Sequence, residues 1–227
     1  ERARAAYPKD PLIEVEFGNL CARRGELERA QQIAERLIAD NSANVRAMNL
    51  LGRVIMAAGK IDRAIEVLKK ADMLSPLDGE RLLLLGDLLL KKGDTKGAAT
   101  YYSSAVISDP TDKGAKRSLG MTKLREGDVN AAIELFRHSI SEDEAVSVFN
   151  NAAVIAIKNG QFDQGIKLYD AALLAVRSDE LKSVVHFNLS IAHERLGHKE
   201  KSAEHNELAV KFNPKNEKAR RRQKLQK

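Results

Sequence analysis

Glycine recurs in this chain with a period of 34 residues. Gly18, Gly52, Gly86 and Gly120 form one series, and Gly25, Gly59, Gly93 and Gly127 form a second, which Gly160 and Gly197 continue at spacings of 33 and 37. Ala30, Ala64, Ala98 and Ala132 follow the second glycine by five residues, Gly165 and Ser202 take that place in the last two units, and Pro8, Pro76, Pro110 and Pro214 close units. A period of this size means that each unit is one supersecondary element, able to bury its apolar face only against its neighbours. Such a chain stacks instead of closing around a single centre.

Within a unit the apolar spacing predicts two helices. From Val45 to Ala57 it is helical, Gly59 supplies the left-handed residue that ends a helix, and Ile61 to Ala71 resumes the same period. Gly52, Ala64 and Ala71 let the two backbones approach, while Met48, Leu51, Ile55, Ile65 and Leu68 fill the seam. Pro76 then stops the second helix, and Pro11 opens the first full unit, where a helix tolerates it.

These residues resemble the tetratricopeptide repeat, whose 34-residue unit has a large apolar residue fourth, Leu-Gly at seven and eight, Ala at twenty, an aromatic or Leu at twenty-four, Ala at twenty-seven and Pro at thirty-two. The third unit gives Leu82, Leu85, Gly86, Leu89, Ala98, Tyr102, Ala105 and Pro110. Units run 11–44, 45–78, 79–112, 113–145, 146–182 and 183–216. Residues 1–10, with Ala3 and Pro8, read as the end of a preceding repeat, and residues 217–227 as a basic capping helix or tail. Lys123 replaces the aromatic that the family places eleventh, facing the partner helix, Ala153 and Ser190 replace the eighth-place Gly, and three extra residues fall near Ser178, Asp179 and Glu180. The resemblance implies an all-α, right-handed superhelical solenoid of six helix-turn-helix repeats with a concave inner surface.

Composition narrows the function. No segment approaches the ~18 uncharged apolar residues of a membrane span, and the lone Cys21 forms no internal disulfide, as expected of a cytoplasmic protein. The formal charge is +6, and residues 215–227, with three Arg and four Lys against Glu217 alone, hold that whole excess. A nucleic-acid reader spreads its basic excess over the folded surface. A solvated capping helix is therefore the first reading of this run, and a patch for an acidic partner, nucleic acid or anionic membrane is the second.

Chemistry has no candidate. Phosphate-loop, nucleophile-elbow and zinc-protease motifs are missing, and Ser141-Glu142-Asp143-Glu144 lacks the alternation of a calcium loop and reads as a helix start. His186 and His193 lie seven apart on one face with no third ligand nearby; His193, at an eleventh place, reads as a packing residue, and His138, His186, His198 and His205 as surface residues. The expectation is a non-catalytic scaffold without metal, cofactor or small-molecule substrate.

The family exposes places two, five, six, nine, twelve and thirteen of each first helix on its concave face. There the chain has Arg46, Arg53 and Arg117 among basic residues that outnumber Glu16, Glu80, Asp87 and Glu194, so the groove favours an acidic partner. Asn19, Asn49, Asn150, Asn151 and Asn188 recur on the same face although Asn is a poor helix former; an amide both donates to and accepts from an extended main chain. Asn151 and Asn188 share the sixth place of consecutive units, Phe187 beside them suits a partner side chain, and Leu50, Met56, Leu83, Leu84, Leu90, Val154, Ile157 and Ile191 supply anchors. No three consecutive units match the chaperone-binding carboxylate clamp. The segments around Phe149-Asn150-Asn151 and Phe187-Asn188 also resemble repeat modules behind receiver domains of bacterial response regulators.

The expected function is an adaptor that binds a partner protein segment in its groove, within a bacterial signalling or assembly complex. Two alternatives stay open: a basic-tail tether to nucleic acid or anionic membrane, and a targeting arm of an upstream enzymatic or receiver domain. Exposed terminal helices leave homo-oligomers open as well.

Overall fold

The computed structural model describes residues 7, 10–137 and 139–226; Ala3, Pro8, His138 and Lys227 lie outside them. All regular structure among the described residues is helical, and the chain divides into two compact bodies, Glu1–Ala115 and Lys116–Lys227. It is a helical solenoid of consecutive helix pairs.

The first body holds α1 (Pro11–Arg23), α2 (Leu27–Asp40), α3 (Val45–Ala57), α4 (Ile61–Leu74), α5 (Gly79–Lys91) and α6 (Thr95–Ser108). Asp10, Asn44, Asp78 and Asp94 cap α1, α3, α5 and α6 by accepting from first-turn amides, each cap contributing about 1 kcal/mol. Gly25, Gly59 and Gly93 turn the chain between paired helices at φ near +80°, where any other residue would be strained. The eighth-place glycines act differently, by leaving out a side chain. A Cβ at Gly52 would lie 2.5 Å from Leu68 Cγ, and one at Gly86 would overlap the Tyr102 ring. The buried seam expected of Met48, Leu51, Ile55, Ile65 and Leu68 is present.

The second body is formed by α7 (Lys113–Glu126, which begins in the last residues of the first body), α8 (Val129–Phe136), α9 (Glu142–Lys158), α10 (Phe162–Ala175), α11 (Asp179–Arg195), α12 (Lys199–Phe212) and α13 (Glu217–Gln226). Phe136 and Phe149, both buried, meet edge to face at 5.7 Å between ring centroids in its core. A Cβ at Gly120 would come 2.5 Å from Phe136 Cε1, the same device as in the first body.

The departures in the fifth and sixth units are offset within the same units. In the fifth unit, where Ala153 replaces the eighth-place glycine, glycine has moved to the twentieth place: a Cβ at Gly165 would overlap Ile157 and lie 3.3 Å from the Ala153 carbonyl oxygen. In the sixth, Ser190 and Ser202 occupy the two places, and Ser202 Oγ donates to the Ser190 carbonyl at 2.8 Å. Ser141 caps α9, and Glu142 accepts from the Arg177 and Ser178 amides at 3.0 and 3.1 Å, which pulls its carboxyl below the usual range and pins the chain ahead of α11. The additional residues are taken up by α9 and α11, each 17 residues long against 13 or 14 for α1–α7.

Gly165→Ala is expected to destabilise by about 1–3 kcal/mol in urea unfolding, because overpacking outweighs the gain in helix propensity. Equal stability of Gly165→Ala and the parent chain would show that the overlap with Ile157 is relieved without cost.

The basic run forms α13, which covers the end of the α11/α12 pair. Ala219 is fully buried, Asn206 Nδ2 donates to its carbonyl at 3.0 Å, and Arg222 pairs with Glu194 at 2.7 Å. Lys218, Arg220, Arg221 and Lys224 face solvent.

Candidate functional site

The first helix of each pair carries the residues expected to meet a partner. In the second body these faces form two pockets at equivalent repeat places. Between α7 and α9, Met121, Leu124, Val148, Ala152, Ile155 and Leu168 wall a pocket of about 370 Å³, with Asn151, Arg125, Gln161 and Gln164 as its polar members. Between α9 and α11, Val154, Ile157, Ile191, Ala192 and Tyr169 wall a smaller one of about 150 Å³, with Asn188, Lys158 and Arg195 as its polar members. The correspondence is one repeat apart: Asn151 with Asn188 at the sixth place, Arg125 with Lys158 at the thirteenth. Arg125, Lys158 and Arg195 are exposed and pair with no carboxylate among the described residues. A cleft with apolar walls and unneutralised cations at its rim attracts anionic side chains without first having to break an internal ion pair.

The equivalent pocket of the first body, about 590 Å³, has a different character. Glu16, Asn19, Arg23, Arg53 and Glu80 line it, and Arg53 is engaged by Glu80 at 2.5 Å and by the Asn19 amide oxygen at 2.9 Å.

Matches to family models decide what this architecture is. Tetratricopeptide repeat models match residues 55–120 in one form and residues 15–79 and 150–217 in another, the latter spanning more than half of the chain. The chain belongs to the tetratricopeptide repeat family. None of the curated proteins matches the sequence. Among solved structures the fold is similar to that of YrrB, described as a TPR protein with an unusual peptide-binding site: TM-score 0.51, 19% identity, 98% of this chain and 96% of that chain covered. It is also similar to Pseudomonas aeruginosa pilF (TM-score 0.55, 16% identity, 95% and 97% covered). A further likeness is to a chain of the Naa15/Naa10 complex bound to HypK-THB (TM-score 0.61, 14% identity), where the match covers 95% of this chain and 33% of that one. At these identities the likeness is one of fold.

Within this tetratricopeptide repeat chain the residues expected at the groove fall into three groups. Asn151 is exposed on its pocket, Phe187 is half-buried, Arg46 is exposed, and Asn188 lines the smaller pocket while donating from Nδ2 to Asn150 Oδ1 at 2.5 Å. Arg53 and Arg117 are held in ion pairs, Arg117 with Glu144 at 2.5 Å. Asn49 is a strut: its oxygen accepts from the guanidinium of the buried Arg81 at 3.3 Å and its Nδ2 reaches Asp78 at 3.5 Å. Leu50, expected as a groove anchor, is fully buried beneath Gly18, whose missing side chain makes room for it. Met121 and Leu124, at ninth and twelfth places, are pocket residues that the expectation omitted. The repeat register alone would have found them, since Val154 and Ile157 hold the same places one unit on.

The histidines also differ from expectation. His193 is buried, as its packing place requires, and so is His186, while His205 is half-buried; among the described histidines only His198 lies on the surface. His186 Nδ1 and His205 Nδ1 are 3.1 Å apart, His193 stacks on His205 with centroids 5.3 Å apart, and His186 stacks on Phe212 at 5.4 Å. Burial, followed by the neighbouring His205, pushes His186 down to about 4; His193 is lowered by the same two causes, and His205 by burial. These rings are neutral packing groups at pH 7. Among the described residues, three or more His, Cys, Asp or Glu side chains nowhere gather as metal ligands.

Proposed function

We propose that this tetratricopeptide repeat protein is a non-catalytic adaptor, and that it binds an acidic segment of a partner protein on the face formed by α7, α9 and α11. The repeat frame is the one of six units between residues 11 and 216. The observation that carries the reading is the recurrence, one repeat apart, of an apolar pocket flanked by a sixth-place asparagine and an unpaired thirteenth-place cation. Such a pair of sites suits a ligand that runs from unit to unit. The description of YrrB as a TPR protein with a peptide-binding site accords with this use of the fold. Asn151, Phe187, Asn188 and the less central Asn150 are the proposed contact residues in the second body. Arg46 is a proposed contact in the first body, whereas Arg53, Arg117 and Asn49 are already occupied within the fold. A cytoplasmic setting fits the lone buried thiol of Cys21, and no helix among the described residues is long and apolar enough to cross a membrane.

A lysate pull-down read by mass spectrometry tests this reading. The parent chain should retain a protein that an Arg125→Glu/Asn151→Ala/Lys158→Glu variant loses; because all three side chains are exposed, the variant should keep the parent's helical content. A second variant, Lys218→Gln/Arg220→Gln/Lys224→Gln, removes charge from α13 without uncovering Asn206, as a truncation would. Retention by the first variant and loss by the second would overturn the groove reading and make the basic helix the working surface.

A further inference from the structure

We infer that the segment accepted by this face is an acidic one in polyproline II conformation, with apolar side chains at positions i and i+3, one for each pocket. This rests on the proposed adaptor reading and specifies its ligand.

Three features of the two pockets lead to it. The first is their spacing. Both use α9: Asn151 and Ile155 face one pocket, Val154 and Ile157 the other, and the two are completed by α7 and α11. Pockets between successive packed helices repeat at the interaxial distance, about 8–10 Å. A polyproline II chain rises about 3.1 Å per residue with three residues per turn, so side chains three apart recur on one side at about 9 Å. Along a β-strand, side chains on one side recur at about 7 Å and then about 13 Å, neither of which matches.

The second feature is the amide beside each pocket. An α-helical ligand also offers apolar groups at a fitting distance, about 10 Å for seven residues. A helix, however, has already satisfied its main-chain groups internally, which leaves Asn151 and Asn188 nothing but side chains to bond. Polyproline II leaves every N–H and C=O free, and an asparagine amide donates to one and accepts from the other. Asn151 is exposed on its pocket, and Asn188 keeps its amide oxygen available because only its Nδ2 is engaged with Asn150.

The third is charge. Arg125, Lys158 and Arg195 are exposed at the pocket rims without a carboxylate partner among the described residues, so the residues between and beside the two apolar anchors are Asp or Glu.

Fluorescence anisotropy with labelled synthetic peptides on the full chain tests the register. Three peptides carry two leucines in one Glu/Pro-rich background, spaced i,i+2, i,i+3 or i,i+4, a fourth carries them at i,i+7 in a Glu/Ala-rich background able to form a helix, and a fifth replaces the glutamates of the i,i+3 peptide by lysine. The i,i+3 peptide should bind at least tenfold more tightly than the other spacings. Exchanging its glutamates for lysine should abolish binding, and Val154→Asp or Arg125→Glu in the protein should weaken it at least tenfold. Val154 is 36% exposed and Arg125 lies on the surface, so both variants should fold, which circular dichroism checks.

Equal affinity for all spacings, with binding still lost in the two variants, overturns the register and leaves the adaptor reading standing. Preference for i,i+7 overturns it in favour of a helical ligand. Binding that Val154→Asp and Arg125→Glu leave unchanged overturns both readings, and absence of binding by every peptide overturns the register while the pull-down judges the adaptor.

Discussion

The Asp72→Ala/Asp78→Asn variant, which keeps an oxygen at position 78 to cap α5, is expected to lose about 3–5 kcal/mol of unfolding free energy, and Arg81→Met considerably less. The Arg81 side chain is 1% exposed, yet it is a cation. Its Nε and Nη2 lie 3.3 Å from Asp72 Oδ1, its Nη1 lies 3.3 Å from Asn49 Oδ1 and 3.6 Å from Asp78 Oδ2, and Nη2 also donates to the Ser75 carbonyl. The two aspartates are far less buried, at 23% and 38% exposed. Removing the arginine therefore leaves carboxylates that water can reach. Removing the carboxylates leaves an uncompensated charge sealed between α4 and α5, and a guanidinium does not lose its proton to escape. Urea denaturation of the three chains measures the asymmetry. Equal losses in the two variants would mean that packing of the Arg81 stem, and not the charge, holds this junction. Asn49→Ala belongs to the same network, so its effect should appear in stability and not in partner binding.

Arg81 also shows where the sequence could be read and where it could not. The 34-residue period carries the helix pairs, the turn glycines and the seams, because those depend on spacing and side-chain volume, which a sequence displays. Counted in that frame, the third place holds Ile13, Ala47, Ala115, Val148 and Val185, and Arg81 is the one charged residue there; at the fourth place Glu14, Lys116 and His186 stand where Met48, Leu82 and Phe149 are apolar. Three of the four exceptions are buried, Glu14 beneath Arg36, Arg81 in its acidic cage and His186 among aromatic rings, and Lys116 is half-buried. A polar residue at an apolar repeat place was the available signal for each. The groove was legible as a set of places but not as a set of free groups. Whether Arg53 or Arg125 is unpaired depends on which carboxylate the neighbouring helix brings near, and Glu80, 27 residues away from Arg53, is fixed there only by the fold. The paired substitutions at Ala153/Gly165 and Ser190/Ser202 read singly as weakened repeats, and only the helix contact shows that each change offsets the other.

The His186 cage sets the second large effect, a loss of stability in mild acid. In the unfolded chain His186 titrates near its ordinary 6.5, and in the fold burial and the adjacent His205 hold it at about 4. Between those values the unfolded state binds more protons than the folded one, so stability is complete above about pH 6.5 and falls as the pH drops towards 4. The groups that face the cluster act in both directions. Lys182, whose Nζ sits 5.4 Å above the Phe212 ring, and Lys201 on α12 disfavour protonation, whereas Glu204 on α12 and Asp170 on α10 favour it. Desolvation outweighs them. At pH 5 the unfavourable difference for His186 is about 2 kcal/mol, with His193 and His205 lowered in the same direction. His186→Phe keeps an aromatic ring over Phe212 and removes the titrating group, so its urea midpoint should fall much less between pH 7.5 and pH 5 than that of the parent chain. The acid-sensitive element is the α11/α12 pair. Because α11 also carries Asn188, Ile191 and Arg195, peptide binding at the smaller pocket should weaken over the same range in the parent chain and persist in the variant. Parallel pH profiles for the two chains would remove His186 from the acid sensitivity and place it in other titrating groups.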